Sequence, residues 1–356
     1  MNVAAPVTKK RTGQNGGKPV NLALQGGGSH GAFTWGVLDR LLEDDSLSIE
    51  AISGTSAGAM NAVAMADGLA RDGNLGARYS LRAFWKAISV AGRNSPIKRT
   101  VIDKLMGNWS LDHSPSFLFM DLLGRVASPY DLNPLNINPL RQVLEDSVDF
   151  DLVRKCESVR LYISATNVVT GRGKVFFREE LTPDMVLASA CLPFMFQAVE
   201  IDGVPYWDGG YVGNPVLYPF FSRSKSADII IVQINPIVRP ETPRTAREIL
   251  NRVNEVTFNS SLLDEFRAID FVQRLLDKHE IDDDHYRRIN LHRIDSGGEL
   301  RQLGASSKLN PEWDFLKHLF RMGRRSASAW LEKNYDAIGV HSTLDVRKVT
   351  RGEDIG

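Results

Sequence analysis

Two glycine-rich turns near the start of the chain constrain its fold more than any other feature. The first, residues 26–31 (GGGSHG), follows the apolar run 20–25 (VNLALQ), and the second, residues 54–58 (GTSAG), follows the apolar run 49–53. Each pattern predicts a buried strand, a tight turn and a helix. The second has the G-x-S-x-G spacing that exposes a serine hydroxyl, and the first can supply backbone N–H groups to an oxyanion. Together they predict acyl transfer, most simply ester hydrolysis.

Strand-like and helix-like segments alternate along the rest of the chain. Strands are predicted at 20–25, 49–53, 159–167, 174–177, 228–234 and 289–294, and helices at 32–42, 56–69, 75–90, 183–190, 244–279 and 311–335. This alternation predicts an α/β fold with a mainly parallel central sheet. We expect a disordered polar leader (1–18), a single α/β domain (19–336) with a C-terminal helical extension (240–336), and a polar tail (337–356).

Composition narrows the class of protein. The 43 Lys and Arg residues are balanced by 43 Asp and Glu residues, which argues against nucleic acid as the main partner because phosphate binding usually needs a basic excess. The two cysteines, Cys156 and Cys191, are too few for a disulfide framework and are predicted to be reduced and buried. The leader lacks the apolar core of a signal peptide, and no run reaches the ~20 apolar residues of a spanning helix. We therefore expect a cytoplasmic protein whose membrane contact, if it has any, is peripheral.

Two apolar segments each allow two interpretations. The apolar residues of 117–123 lie in a proline-punctuated stretch, 91–140, and fit either a core segment or the wall or lid of a hydrophobic substrate site. Residues 319–330 mix basic and apolar side chains within a predicted helix. Such a helix either lies in a membrane interface or packs on the core with its arginines in solvent.

Dinucleotide binding is an alternative use of the first glycine turn. Gly26, Gly28 and Gly31 match G-x-G-x-x-G, a pattern that also binds a pyrophosphate. That function needs an acidic residue at the end of the second strand, whereas Glu50 stands at its start. The pattern therefore favours oxyanion binding.

The base that would activate Ser56 is either a histidine or a carboxylate. A triad of the α/β-hydrolase type needs an acid and then a histidine downstream of the serine, and none of the six downstream histidines stands in an obvious strand-end loop with a glycine beside it. Those histidines are His113, His279, His285, His292, His318 and His341. Asp208, in contrast, directly follows the strand-like run 204–207 and precedes Gly209 and Gly210. Asp208 is therefore the leading base, and Asn214-Pro215 is predicted to start the next helix.

These motifs together resemble the patatin-like phospholipase family. The resemblance rests on Gly-Gly-Gly-x-x-Gly, Gly-Thr-Ser-Ala-Gly and Asp-Gly-Gly in this order, with the block at 188–193 (ASACLP) before the aspartate. It covers roughly residues 20 to 235. It implies a three-layer α/β/α fold, hydrolysis of lipid acyl esters, frequent action at membrane surfaces, and no metal or organic cofactor.

The same resemblance assigns roles to particular residues. It implies Ser56 as nucleophile, Asp208 as its partner in a dyad without histidine, and an oxyanion hole built from the amides of Gly26, Gly27 and Gly28. The supporting residues of the three motifs are His30, Gly31, Gly54, Gly58, Gly209 and Gly210. One position departs from the family pattern, since His30 stands where an Arg or Lys is usual. His30 either carries a partial charge in the loop or packs against the helix.

Three functions follow, in order of preference. The first is a serine acyl hydrolase on lipid esters. The second is a soluble esterase or thioesterase on smaller acyl esters, and the third is a non-catalytic lipid-binding protein. The head group, the acyl-chain length and the oligomeric state are not encoded in any pattern that can be read from the sequence.

Overall fold

The computed structural model describes residues 16–124, 126–281 and 286–353. Most of the predicted leader (1–15), His285 and the last three residues of the predicted tail lie outside the described residues.

One mixed sheet of eight strands forms the centre of the molecule. The strands are β1 (Lys18–Leu24), β2 (Leu47–Gly54), β3 (Arg160–Asn167), β4 (Gly173–Phe177), β5 (Val199–Ile201), β6 (Val204–Asp208), β7 (Asp228–Val232) and β8 (Asn290–Ile294). Hydrogen-bonded neighbours follow the order β5-β6-β3-β2-β1-β7-β8, in which β2 and β6 pair with successive stretches of one edge of β3 while β4 pairs with its other edge. The five strands from β3 to β8 along this order are parallel, and β4, β5 and β6 pair antiparallel.

Helices cover both faces of this sheet. They are α1 (Gly31–Leu41), α2 (Ala57–Ala91), α3 (Val101–Leu105), α4 (Pro115–Leu123), α5 (Pro129–Leu132), α6 (Pro139–Ser147), α7 (Phe150–Lys155), α8 (Pro183–Ser189), α9 (Tyr218–Arg223), α10 (Ala246–Asp277), α11 (Trp313–Asn334) and α12 (Val346–Thr350). Neighbouring side chains of a strand enter different cores: Ile230 packs with residues of α1, α2 and α11, and Ile231 packs with residues of α9, α10 and α12. The predicted α/β class and the three-layer α/β/α architecture are thereby confirmed.

Several predicted boundaries differ from the structure. The two helices predicted at 56–69 and 75–90 correspond to α2, whose helical backbone is interrupted at Asp72 and Gly73. The prediction that Asn214 and Pro215 start a helix is wrong, because α9 begins only at Tyr218. The segment predicted as a polar tail contains α12, whose Val346 and Val349 are buried against the α10 side of the sheet.

The two apolar segments with open interpretations have opposite outcomes. In α4 the interpretation as core is wrong, because Phe119 and Leu122 are 63% and 62% exposed. In α11 the packed interpretation holds for its apolar side chains, since Leu319 and Met322 are buried in the same core as α1. Arg324 of α11 pairs with acidic side chains on and beside α1. None of the described helices combines the length and the apolar composition that crossing a bilayer requires.

Candidate active site

Ser56 occupies a strained bend between β2 and α2. Its backbone has φ 55° and ψ −120°, which places a residue with a side chain outside the usual regions for helix and strand. A residue distant in the chain stabilises the bend, because the Ser56 N–H donates to Ser189 Oγ at 2.9 Å. Thr55 Oγ1 donates to the Gly213 carbonyl at 2.7 Å on the other side of the bend. The result is a half-buried serine hydroxyl presented at the start of a helix.

The first glycine turn lies directly against this bend. β1 and β2 are parallel and in register, with Leu24 opposite Gly54, so both strands deliver their turns to the same edge of the sheet. A Cβ on Gly26 would stand only 2.6 Å from the Cβ of Ser56. Glycine at position 26 therefore lets the loop approach the serine, which a larger residue would prevent.

The pairing of β3 explains how Asp208 reaches the same place. β4 pairs with Tyr162–Thr166 along one edge of β3, so β2 and β6 must share the other edge. On that edge Gly54 lies opposite Ile163, and Asp208 lies opposite Ala165. The end of β6 thus meets the end of β2, although the two strands are far apart in the chain.

Asp208 is buried and its carboxylate is held in place. It is 2% exposed, and its Oδ1 accepts the Gly210 N–H at 2.7 Å. Its own backbone is bonded on both sides, to the Cys191 carbonyl (2.8 Å) and to the hydroxyl of Thr166 (2.7 Å). The Ser56 hydroxyl lies close enough to this carboxyl group to lower its pKa.

The environment of Asp208 makes it a stronger base than an ordinary aspartate. Burial raises the pKa of Asp208 from 3.8 to about 7, against the opposing effects of the Gly210 N–H, the Ser56 hydroxyl and the positive charge of Lys308. A carboxylate with a pKa near 7 is better suited to accept a proton from a serine hydroxyl at neutral pH.

The three predicted oxyanion donors differ in their hydrogen bonding. The Gly26 N–H donates to Asn214 Oδ1 at 2.7 Å and is therefore already used. Within the described residues, the N–H groups of Gly27 and Gly28 form no hydrogen bond. The set of donors available to an oxyanion thus narrows from three glycines to Gly27 and Gly28.

His30 is a packed, neutral side chain. It is 2% exposed, its Nε2 lies 2.7 Å from Ser307 Oγ, and its ring contacts Phe315. Burial and then the nearby charge of Lys308 lower the pKa of His30 to about 3. The partly charged alternative is therefore wrong, and the packing alternative fits the structure.

The remaining motif residues lie at the strand ends and turns that carry Ser56 and Asp208. Gly54 ends β2 and Gly58 lies in the first turn of α2, while Gly31 begins α1. Gly209 and Gly210 form a 3-10 turn immediately after Asp208. Both cysteines are free and buried, as predicted.

In the described part of the chain, no histidine bonds to Ser56 or Asp208. His292 is fully buried elsewhere, with Nε2 3.0 Å from Asp228 Oδ1 and Nδ1 2.9 Å from Thr343 Oγ1. His113 pairs with Asp103, and His318 stacks on Trp109. The described residues also contain no cluster of His, Cys, Asp and Glu arranged to hold a metal ion.

Dinucleotide binding would need an acidic residue at the end of β2, and that position is Gly54. Glu50 lies near the start of β2 and accepts hydrogen bonds from Ser224 and from the N–H groups of Lys225 and Ser226. That position is at the opposite end of the strand from the glycine turn.

Three residues that hold the site were missed as site residues by sequence reasoning. Asn214 binds the Gly26 N–H, Asn235 Nδ2 donates to the Gly26 carbonyl at 2.6 Å, and Lys308 Nζ donates to Asn235 Oδ1 at 2.7 Å. The sequence signal at Asn214 was visible but was assigned to a helix cap. Asn235 and Lys308 stand in no recognisable motif.

A serine at a strand-to-helix bend, facing a buried carboxyl group beside free backbone N–H groups, is the arrangement of serine hydrolases. The family model for patatin-like phospholipase matches residues 22–221, which include all three motifs. The chain belongs to the patatin-like phospholipase family. This membership supports hydrolase activity on lipid esters in general.

One solved structure is distantly similar to this chain. The solved structure of VipD from Legionella pneumophila is similar at 13% identity and a TM-score of 0.43, covering 88% of this chain and 67% of that one. No curated protein has a significantly similar sequence.

Proposed function

We propose that this chain is a serine acyl hydrolase that cleaves lipid acyl esters, as a phospholipase A or lipid acyl hydrolase does, with Ser56 and Asp208 as a catalytic dyad. The observation that carries the proposal is the meeting of Ser56, on its strained bend, with the buried carboxyl group of Asp208, whose pKa is raised to about 7. A serine hydroxyl needs a base to become a nucleophile, and among the described residues Asp208 is the titratable group whose pKa the Ser56 side chain lowers.

The reaction begins when Ser56 Oγ attacks the ester carbonyl carbon and its proton passes to the Asp208 carboxylate. The carbonyl oxygen becomes an oxyanion, which the N–H groups of Gly27 and Gly28 stabilise. When this tetrahedral intermediate collapses, the bond to the alcohol breaks and Asp208 returns its proton to the leaving alkoxide. Water then attacks the acyl-serine by the same route, with Asp208 again taking and returning a proton, and releases the fatty acid.

A lipid substrate is supported by apolar surface on two sides of the site. On one side, Gln197 Nε2 donates to the Asn133 carbonyl at 2.8 Å, which ties the segment after Ser189 to the segment that follows the exposed α4. On the other side, the ring of Phe258 in α10 lies against Gly210. The preceding turns of α10 expose apolar side chains, namely Ile249, Leu250, Val253 and Val256. Such surfaces fit acyl chains, and contact with a lipid surface would be peripheral.

The test is hydrolysis of a short and a long p-nitrophenyl ester beside a phospholipid in micelles. We expect the long ester and the phospholipid to be preferred, and Ser56→Ala to lose turnover on all three. Preference for the short ester would instead support a soluble esterase or thioesterase. A folded protein without turnover on any of them would contradict the proposal and leave a lipid-binding protein.

The pH profile provides a separate prediction. Because Asp208 must be ionised to accept the serine proton and burial raises its pKa to about 7, kcat/KM should fall as the pH drops through about 7 and level off above it. The measurement is kcat/KM for a neutral p-nitrophenyl ester between pH 5 and 9 in buffers of constant ionic strength. A profile that stays flat down to about pH 5 would show that Asp208 has an ordinary pKa and is not tuned as a base.

A further inference from the structure

A turn near the C-terminal helix lies directly on the glycine turn. This 3-10 turn, Ala305–Leu309, stands outside the region that the family model matches. A Cβ on Gly28 would lie 2.4 Å from the carbonyl oxygen of Lys308, so the two backbones are in close contact. His30 Nε2 meets Ser307 Oγ at 2.7 Å, and Ser307 Oγ donates to the Gly304 carbonyl. Since a hydroxyl has one proton to donate, His30 is the donor to Ser307.

The side chain of Lys308 reaches back to the same glycine turn through Asn235. Lys308 Nζ donates to Asn235 Oδ1 at 2.7 Å, and Asn235 Nδ2 donates to the Gly26 carbonyl at 2.6 Å. A lysine ammonium can only donate, so it fixes which end of the Asn235 amide faces Gly26. Lys308 thereby stabilises the orientation in which an N–H meets the Gly26 carbonyl, together with Gln25 Oε1, which accepts from the same Nδ2 at 3.4 Å.

Holding the Gly26 carbonyl also fixes an oxyanion donor. In a planar trans peptide, the carbonyl of Gly26 and the N–H of Gly27 point in opposite directions. A peptide held by Asn235 at its oxygen therefore keeps the Gly27 N–H pointing away from Asn235. That N–H forms no hydrogen bond within the described residues.

The charge of Lys308 acts on the dyad as well. It lowers the pKa of the Asp208 carboxyl, and the Asp208 and Glu255 carboxylates in turn offset part of the desolvation that lowers the pKa of Lys308. Glu255 is paired with Arg239 at 2.6 Å and is thus partly neutralised. The charged or titratable groups that face Lys308 or Asp208 are His30, Cys191, Tyr211, Arg239 and Glu255.

We propose that Lys308 is a positioning residue of the active site, which orients the Gly27 N–H through Asn235. The inference rests on the proposed function, because the Gly27 N–H matters only if an oxyanion forms there. The inference gives the turn at Ala305–Leu309 a role in the chemistry. The contact between His30 and Ser307 fastens that turn to the glycine turn at residues 26–31.

The experiment compares Lys308→Met, Asn235→Ala and the double variant with wild type on a neutral short p-nitrophenyl ester. We expect each single variant to lower kcat by about 10- to 100-fold, less than the roughly 100- to 1000-fold loss on removing an oxyanion donor, because the Gly27 N–H is misoriented and not removed; KM should change little. Because both act through the same peptide, the double variant should be no slower than the slower single variant. Lys348→Met, on the exposed face of α12, is the matched control and should behave as wild type.

The pH profile separates positioning from a merely structural effect. Without the charge of Lys308 the pKa of Asp208 rises, so the falling limb of kcat/KM should move to higher pH in Lys308→Met but not in Lys348→Met. Lys308→Gln keeps a donor for Asn235 and should recover part of kcat while the limb stays displaced. If Lys308→Met does not fold, Lys308→Gln alone tests the displacement.

Two outcomes overturn the inference in distinguishable ways. If Ser56→Ala is inactive while folded Lys308→Met keeps wild-type kcat and the wild-type limb, the role of Lys308 is wrong and the proposed function stands. If wild type hydrolyses no ester, or Ser56→Ala keeps its activity, the proposed function fails and the role of Lys308 fails with it.

Discussion

Ser56→Ala and Asp208→Asn should each reduce kcat/KM by about 10⁴-fold or more, because each removes one half of the group that forms the acyl-serine. Ser56 already holds a side chain at φ 55°, so alanine adds no new strain to the bend. Asparagine keeps the shape of Asp208 and can still accept the Gly210 N–H, but it cannot take a proton. The measurement is steady-state kinetics on the long p-nitrophenyl ester, with circular dichroism to show that both variants are folded.

His292→Ala is the control that separates a dyad from a triad. His292 is bonded to Asp228 and Thr343 and has no bond to Ser56 or Asp208. We expect this variant to be less stable, because it leaves the buried Asp228 without one partner, and to keep the turnover rate of its folded fraction. Activity retained in Asp208→Asn and lost in folded His292→Ala would replace the dyad by a triad.

Asp208→Asn should also stabilise the fold at pH 8. The unfolded aspartate ionises near pH 3.8, whereas burial raises the pKa of the folded residue to about 7. Above pH 7 the folded protein must therefore hold a buried charge that the unfolded chain carries in water. Each factor of ten in ionisation is worth about 1.4 kcal/mol, so asparagine should raise the free energy of unfolding at pH 8 by about 4 kcal/mol at most.

The stability gained by Asp208→Asn should depend on pH. A folded pKa above the unfolded value means that stability is lost as the pH rises from about 4 to about 7. The gain in the free energy of unfolding from Asp208→Asn should thus be largest above pH 7. It should vanish below about pH 4, where Asp208 is protonated in both the folded and the unfolded wild type. Urea unfolding of wild type and variant at pH 4, 6 and 8 measures it. Equal stability at pH 8 would mean that Asp208 is an ordinary, solvated carboxylate.

The sequence predicted those features of the site that depend on neighbours in the chain. A glycine-framed turn between a strand and a helix is a local structure, and the turns around Gly26 and Ser56 could be recognised without knowing the rest of the fold. The parallel alternation of strands and helices was likewise enough for the α/β class. Asp208 was found because its two following glycines mark a tight turn after a strand.

The anchors of the glycine turn could not be predicted, since their roles depend on the order of strands in the sheet. Asn235 lies just beyond the end of β7. It reaches the glycine turn because β7 pairs with β1, and the sequence does not reveal that pairing. Lys308 approaches from beyond β8. The role of Asn214 as an acceptor for the Gly26 N–H could not be predicted, because an Asn-Pro pair is also typical of a helix start.

Hydrophobicity alone also failed to separate core from surface. The apolar residues in α4 and those in α11 predict burial equally well, yet Phe119 is exposed and Leu319 is fully buried. The difference lies in packing: α11 packs along α1, whereas the outer side chains of α4 are exposed. A pattern of residues does not contain that information.

The position of β1 between β2 and β7 sets an order on biosynthesis. β2 leaves the ribosome soon after β1, but β7 follows about 200 residues later, which at 5–20 residues per second is roughly 10–40 s. Until then one edge of β1 is open to pairing with other chains. The contact between His30 and Ser307 spans 277 residues and forms later still. The nascent chain therefore carries its reactive serine first and receives Lys308, the last anchor of its glycine turn, much later, so that under the proposed function full hydrolytic activity requires translation to pass Lys308.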